Sequence, residues 1–330
     1  VQIKILKIGG LMKTLKTWVI VSLMLVGIIL AVDSVAALER TKTNDPGSTA
    51  WDTNRLTELD QMIRQMRSEI KRTGETFEVG YTSALQYSVS ELCTFNPDEA
   101  MGDEAEHEIH YDPGFSESID DCSLVKALPS YYIGYYTPIR NGASCGAAWA
   151  FATVAVFEGI IKKKTGTSVN LSEQHVVSCN TYGYSCSGGN FAHGIHVNPG
   201  AVMESCFPYV AYNAPCKTTC PYPYKLKAWY YVGTSSSIPT TAAIKDKIYN
   251  YGSVGAAVYA DSYFMAYTGG TFNHCVNNSV NHTVVLVGWD DTRGAWRLKN
   301  CWGTSWGESG LMWITYGCSK IGYGANYVVY

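Results

Sequence analysis

Apolar and polar positions divide the chain into stretches of different pattern. An apolar run from Trp18 to Val32, broken only by Ser22 and Gly27, follows Lys13 and Lys16 and precedes the small residues Val35, Ala36 and Ala37. Cation, apolar stretch and small residues in that order make a secretory leader. The run is about 15 residues, short of the ~20 that a membrane-spanning helix needs. Residues 1–37 are therefore read as a signal peptide cut after Ala36 or Ala37, with Met12 a more natural start than Val1 and residues 1–11 upstream of it. A retained anchor is the alternative. Leu56, Leu59, Met62, Ile63, Met66 and Ile70 recur at spacings of three and four, which predicts an amphipathic helix capped by Asp52 or Thr53 and ended by Gly74. Phe77, Val79 and Tyr81 alternate, so residues 76–93 are expected to be mixed strand and turn. Residues 97–121 carry ten acids and no Lys or Arg, the pattern of a solvated linker.

After about Leu128 the pattern is mixed. Residues 148–163 are apolar on every face, which predicts a buried helix. Residues 243–251 read as an amphipathic helix stopped by Gly252. Strands are expected at 255–260, 283–289, 295–299 and 311–316, with a hairpin turn at Asp290–Gly294. A helical half followed by a sheet half predicts an α+β fold with a cleft between the halves.

Composition narrows the classes. Hydrophobic residues make up 46% of the 330, and 25 Lys+Arg against 28 Asp+Glu leave a net charge of −3. That supports a large core and excludes a mainly disordered chain. The one basic run, Lys162-Lys163-Lys164, is no footprint for nucleic acid. No second apolar run follows the leader, so no stable membrane span is expected after its cleavage. The 11 cysteines contain no CxxC pair, so disulfides and an exported, extracellular or periplasmic location are favoured over zinc. The odd count leaves at least one thiol over. His193 and His196 have the spacing of a metal pair, but no Cys or acid stands in register, so they are read as structural, and neither metal nor cofactor is expected.

The segment Thr137–Gly159, with Ser144-Cys145-Gly146-Ala147-Ala148-Trp149-Ala150-Phe151 at its centre, resembles the nucleophile region of papain-family cysteine proteases. Three further segments agree in order: Leu171-Ser172-Glu173-Gln174; Cys186-Ser187-Gly188-Gly189; and Asn281-His282-Thr283 followed by Lys299-Asn300-Cys301-Trp302-Gly303. The resemblance covers residues 128–330 and implies a papain-like two-lobed fold, a helical lobe against a sheet lobe. Residues 38–127 would then be a pro-like segment and acidic linker, closer to the short pro-segments of prokaryotic-type members, and the pro-segment would lie in the cleft.

In that family a thiolate at the start of a buried helix attacks the peptide carbonyl, a His moves the proton, and a side-chain amide orients the His. A backbone N–H and a Gln side chain hold the oxyanion. Carried over, His282 is the base and Asn300 its orienting amide, with Trp302 shielding the pair. Gly188 and Gly189 admit an extended peptide, and Asn281 and Phe191 lie near the cleft. The nucleophile position is Ala148, and the oxyanion Gln position is Gly142. A methyl group cannot attack, so the resemblance implies an inactive homologue that binds peptide or protein in its cleft. An active endopeptidase whose Ala148 is an introduced Cys→Ala change stays open, as does a structural protein with its cleft plugged by residues 50–95. The family pattern implies bridges Cys145–Cys186 and Cys179–Cys216. Cysteine order suggests Cys206–Cys220, Cys275–Cys318 and Cys93–Cys122, leaving Cys301 free near the His–Asn side. Glu158 and Glu173 are expected to serve internal hydrogen bonding. Asn170-Leu171-Ser172, Asn277-Asn278-Ser279 and Asn281-His282-Thr283 are glycosylation sequons; a glycan on Asn281 would obstruct the cleft.

Overall fold

The computed structural model describes residues 53–95, 97 and 127–330, all within one compact unit that spans Trp51–Tyr330. The leader, Cys122 and nearly all of the acidic stretch lie outside the described residues. Helix α1 (Thr53–Thr73) buries Leu59, Ile63, Met66 and Ile70, the stripe read from the sequence, and Gly74 leaves it at φ 75°. Strand β1 (Phe77–Val79) follows with the alternation buried, exposed, buried. Residues 83–92 depart from the mixed strand and turn expected of 76–93. They form a 3₁₀ turn (Ser83–Gln86) and the single-turn helix α2 (Val89–Leu92). The cause is local: Ser88 and Glu91 make a reciprocal capping box, which satisfies two backbone donors at once.

In the helical lobe, α3 (Ala148–Thr165) is buried without a break from Ala148 to Ile161. Gly166, left-handed at φ 74°, caps it through Lys162 O. The three lysines of its last turn face the negative end of the helix dipole. Lys162 donates to Tyr136 O and Lys163 to Tyr249 O, so the run is a helix terminus and not a basic patch. The short helices α4 (Glu173–Cys179) and α5 (Gly194–Val197) complete this lobe, with Ser172 capping α4 through His175 N.

The sheet lobe is built from β2 (Tyr131–Ile133), β3 (Ala228–Tyr231), α6 (Thr241–Tyr251), β4 (Val254–Val258), α7 (Ser262–Ala266), β5 (Tyr267–Phe272), β6 (His282–Asp290), β7 (Ala295–Lys299), β8 (Leu311–Thr315) and β9 (Tyr323–Val329). Strand order is β1-β5-β8-β7-β6-β4-β9-β3, with β2 on β6. All nine residues of β6 are buried, and α3 packs against this strand. The start of the buried helix and the start of β6 thus share one interior. β1 pairs antiparallel with β5, Phe77 opposite Gly270, so the N-terminal segment is a strand of the same sheet.

Among the described residues four disulfides, Cys145–Cys186, Cys179–Cys216, Cys206–Cys220 and Cys275–Cys318, agree with the expected pairs. Cys93 departs from expectation. It is a free, buried thiol, as is Cys301. Its helical turn carries it into the protein, where Cys93 N donates to Val89 O. Glu158 takes hydrogen bonds from Thr137 Oγ1 and Leu171 N, as anticipated, and Lys299 Nζ donates to Thr137 Oγ1 at 3.1 Å. Glu173 is buried, and burial pushes its carboxyl up to about 8.

His175, His193 and His196 are all buried in the helical lobe. His193 Nε2 meets Asn326 Oδ1 at 2.8 Å, whereas among the described residues neither nitrogen of His196 has a hydrogen-bond partner. Among the described residues no cluster of His, Cys, Asp or Glu has metal-binding geometry. Burial pushes His175 and His193 down to about 4, and His196 well below its usual range. The unfolded chain binds these protons near pH 6.5, so their stabilisation is complete above that value and lost as pH falls toward 4. Neutral Glu173 acts in the opposite sense as pH rises toward 8. In urea denaturation each buried histidine should contribute a downward slope of stability from pH 6.5 to 4, opposite in sign to the contribution of Glu173 over the same interval. His196→Leu should flatten that slope; an unchanged slope would refute the assignment.

Candidate active site

The site lies where the start of α3 meets the start of β6 and the end of β7. Asn300 directly follows β7, and its Oδ1 accepts from the Cys301 backbone N–H at 2.8 Å. That bond fixes the amide orientation, because a backbone nitrogen can only donate. The same Oδ1 lies 2.9 Å from His282 Nε2, so Nε2 carries the proton and donates to it. His282 is fully buried. The Trp302 ring lies over it, centroid to centroid 4.5 Å, and Phe264 closes a further side at 6.2 Å. The sequence motifs pointed to His282, Asn300 and Trp302, and the structure brings these three together.

His282 Nδ1, the nitrogen left over, is buried without a well-formed hydrogen bond. The Leu92 backbone carbonyl lies close to the ring. Burial pushes His282 down to about 4, although Asn300 and the Leu92 carbonyl act in the opposite direction. The imidazole is therefore neutral at pH 7.

Ala148 opens α3 and, with Thr283, Asn300 and Cys301, lines a cavity of about 20 Å³ between the lobes. Its side chain is a methyl group, so no thiol stands at this helix start. Gly142 donates its N–H to Cys301 O and accepts from Tyr209 OH at 2.9 Å. A Cβ at Gly142 would meet Phe151 at 3.4 Å and Cys301 O at 3.6 Å, ordinary packing distances, so the position has room for a side chain. Cys301 reaches the cavity wall, but burial pushes its thiol up to about 12. A thiol in that state is not a nucleophile at neutral pH.

The groove across this site is filled by residues 92–95 of the same chain. Leu92 stands at His282, and Thr94 Oγ1 donates to Gly146 O at 2.6 Å. Phe95 N donates to Asn281 O at 2.9 Å, and Phe95 pairs with Gly189 in a parallel bridge. The Phe95 side chain packs with Ala257, Val280 and Tyr323, its ring 6.3 Å from that of Phe191. Gly188, Gly189, Asn281 and Phe191 therefore all line the groove. The Asn281 side chain is engaged with the backbone of Ala260 through both its oxygen and its nitrogen.

The seat of this segment left little mark in the sequence. Ala257, Val280 and Tyr323 come from three different strands or loops, and nothing local ties them together. The same holds for a clasp farther along the segment. There His274 Nδ1 lies 2.8 Å from Glu75 Oε1, its Nε2 3.6 Å from Asp261 Oδ2, and its ring is stacked on Tyr263. Glu75 belongs to the N-terminal segment and the other three to the sheet lobe, so this contact also holds the segment in place.

Known proteins share this architecture. The model of the papain family of cysteine proteases matches residues 132–329. Fruit bromelain of Ananas comosus is 33% identical over 214 residues, 62% of this chain and 59% of the relative. Cathepsin K of Mus musculus is 33% identical over 191 residues, 54% of this chain and 55% of the relative. The chain thus spans little more than half the length of these curated relatives. The solved digestive procathepsin L 3 of Tenebrio molitor larval midgut superposes with a TM-score of 0.71, covering 86% of this chain and 95% of the other at 21% identity. That last likeness concerns the fold, and it extends over the N-terminal segment as well as the two lobes. With the family match covering more than half of the residues, the chain belongs to the papain family of cysteine proteases.

Proposed function

We propose that this protein is an exported papain-family homologue without peptidase activity, whose groove binds an extended peptide and is held by its own residues 92–95. The single observation that carries the reading is a docked segment over a buried His282–Asn300 pair, with the Ala148 methyl sharing a cavity wall with Asn300. Covalent attack needs an electron pair at the helix start, and a methyl group has none. Removing a nucleophile from a comparable triad costs about 10⁶ in rate. Loss of the oxyanion donor at Gly142 adds to this.

Residues 53–95 have the role of a pro-segment in this reading. Without self-cleavage the segment stays in the groove until another protease or a competing ligand removes it. Its anchor defines the ligand class: an extended backbone lying on Gly188 and Gly189, with an aromatic or large apolar side chain in the Phe191, Ala257, Val280 and Tyr323 pocket. The four disulfides support an oxidising compartment, and among the described residues no helix is long and apolar enough to cross a membrane.

Restoring chemistry tests the inactive reading. Ala148→Cys alone should give weak hydrolysis of a peptide substrate, once the segment has been cut away by an added protease. The double variant Ala148→Cys with Gly142→Gln should gain a further ~10²–10³ in kcat. Activity in the unaltered protein, or full activity in the single variant, would contradict the account.

Groove occupancy has its own test. A Cβ on Gly188 would overlap the Thr94 carbonyl oxygen, and Gly188 already sits at φ 138°. Gly188→Ala should therefore loosen residues 92–95. A strain of about 1–3 kcal/mol corresponds to roughly 5- to 150-fold more opening, read as faster alkylation of Cys93 in the native protein. Equal alkylation rates in both proteins would show that the segment does not depend on this approach.

A further inference from the structure

Three sequons occur in the mature part of the chain, and the fold treats them differently. In Asn170-Leu171-Ser172, Leu171 and Ser172 are buried. The Ser172 hydroxyl donates to Phe207 O and also caps α4 by accepting from His175 N, and Asn170 Oδ1 accepts from Arg140. In Asn281-His282-Thr283, the amide of Asn281 is locked to Ala260 and its backbone oxygen to Phe95, while His282 and Thr283 are buried. A folded molecule has no room for a glycan at either asparagine. Asn277-Asn278-Ser279 is the opposite case. All three residues are exposed, on the irregular connection between β5 and β6. Among the described residues nothing hydrogen-bonds to the Asn277 amide. The Cys275–Cys318 disulfide pins the start of this connection, and buried Val280 pins its end. The sequon is therefore presented on a short, tethered, exposed turn.

We propose that Asn277 is the N-glycosylation site of this protein. The proposal rests on the export reading above, because the sugar donor is met only on the lumenal side of the secretory route. In the transfer, the Asn277 side-chain nitrogen attacks the anomeric carbon of an oligosaccharide carried on a lipid pyrophosphate. The C–N bond forms and the C–O bond to pyrophosphate breaks. The lipid pyrophosphate leaves with the electron pair, and the amide loses one proton to a base of the transferase. Val280, three residues further on, forms part of the pocket around Phe95. The glycan thus stands at the end of the groove where the aromatic anchor seats, leaving a slender peptide better access than a broad protein surface.

The test expresses the full chain in a glycosylating eukaryotic host, once with its own leader and once behind a leader of proven export. The secreted, disulfide-bonded product is deglycosylated with a peptide N-glycosidase in ¹⁸O-water, which converts each released asparagine to a labelled aspartate. The expected result is a label at Asn277 alone, and loss of the glycan mass shift in Ser279→Ala. No label at Asn277 in the product of the proven leader, or a label at Asn170 or Asn281, would overturn the proposal. A glycan obtained with the proven leader but not with the chain's own supports the site and overturns the export reading alone.

Discussion

Everything at this site depends on keeping one uncharged imidazole away from water. His282 donates through Nε2 to Asn300 Oδ1 and lies under Trp302, with the Leu92 carbonyl close to the ring. A charged ring in such a place would need an anion beside it, since an unpaired buried charge is costly. In a working thiolate–imidazolium site the thiolate is that anion. Here the helix start offers only the Ala148 methyl, so burial decides the charge and the ring stays neutral. The ring is oriented by Asn300 and shielded by Trp302, while the side chain at the start of α3 is a methyl group.

The docked segment follows from the same constraint. An open groove would expose His282 and the apolar pocket around Phe95 to water. Residues 92–95 close it, and they do so as part of a larger seat. α1 buries its apolar stripe, β1 extends the sheet at β5, and Glu75 meets His274. Gly146 and Gly188 provide the close approach to Thr94 that a Cβ would block. The free thiol of Cys93 is buried in this contact, and burial pushes it well above the usual thiol range.

Much of this was legible in the sequence where the signal was local. The stripe of α1, the all-apolar run of α3, the Gly252 stop of α6 and the hairpin between β6 and β7 each rest on patterns a few residues long. His282, Asn300 and Trp302 were legible because ordered motifs fix them relative to one another. Strands β3, β5 and β9 were not. β5 contains Gly269 and Gly270, and β9 contains Gly324 and Asn326, which weaken any strand pattern. The short helices at 83–92 were masked by an alternation that ended at Tyr81. The partner assigned to Cys93 was also wrong in kind, because cysteine order says nothing about a segment that folds back into a groove. The seat of Phe95 could not be read at all, since its walls come from positions far apart in the chain.

The charge state of His282 tests the central claim most directly. An NMR pH titration of the unaltered, full-length protein, with imidazole nitrogens observed, reports both protonation and tautomer. The account predicts a neutral ring protonated at Nε2 throughout the neutral range, titrating only near pH 4. A doubly protonated His282 at pH 7 would contradict it, because it would mean that an anion, a thiolate above all, lies beside the ring.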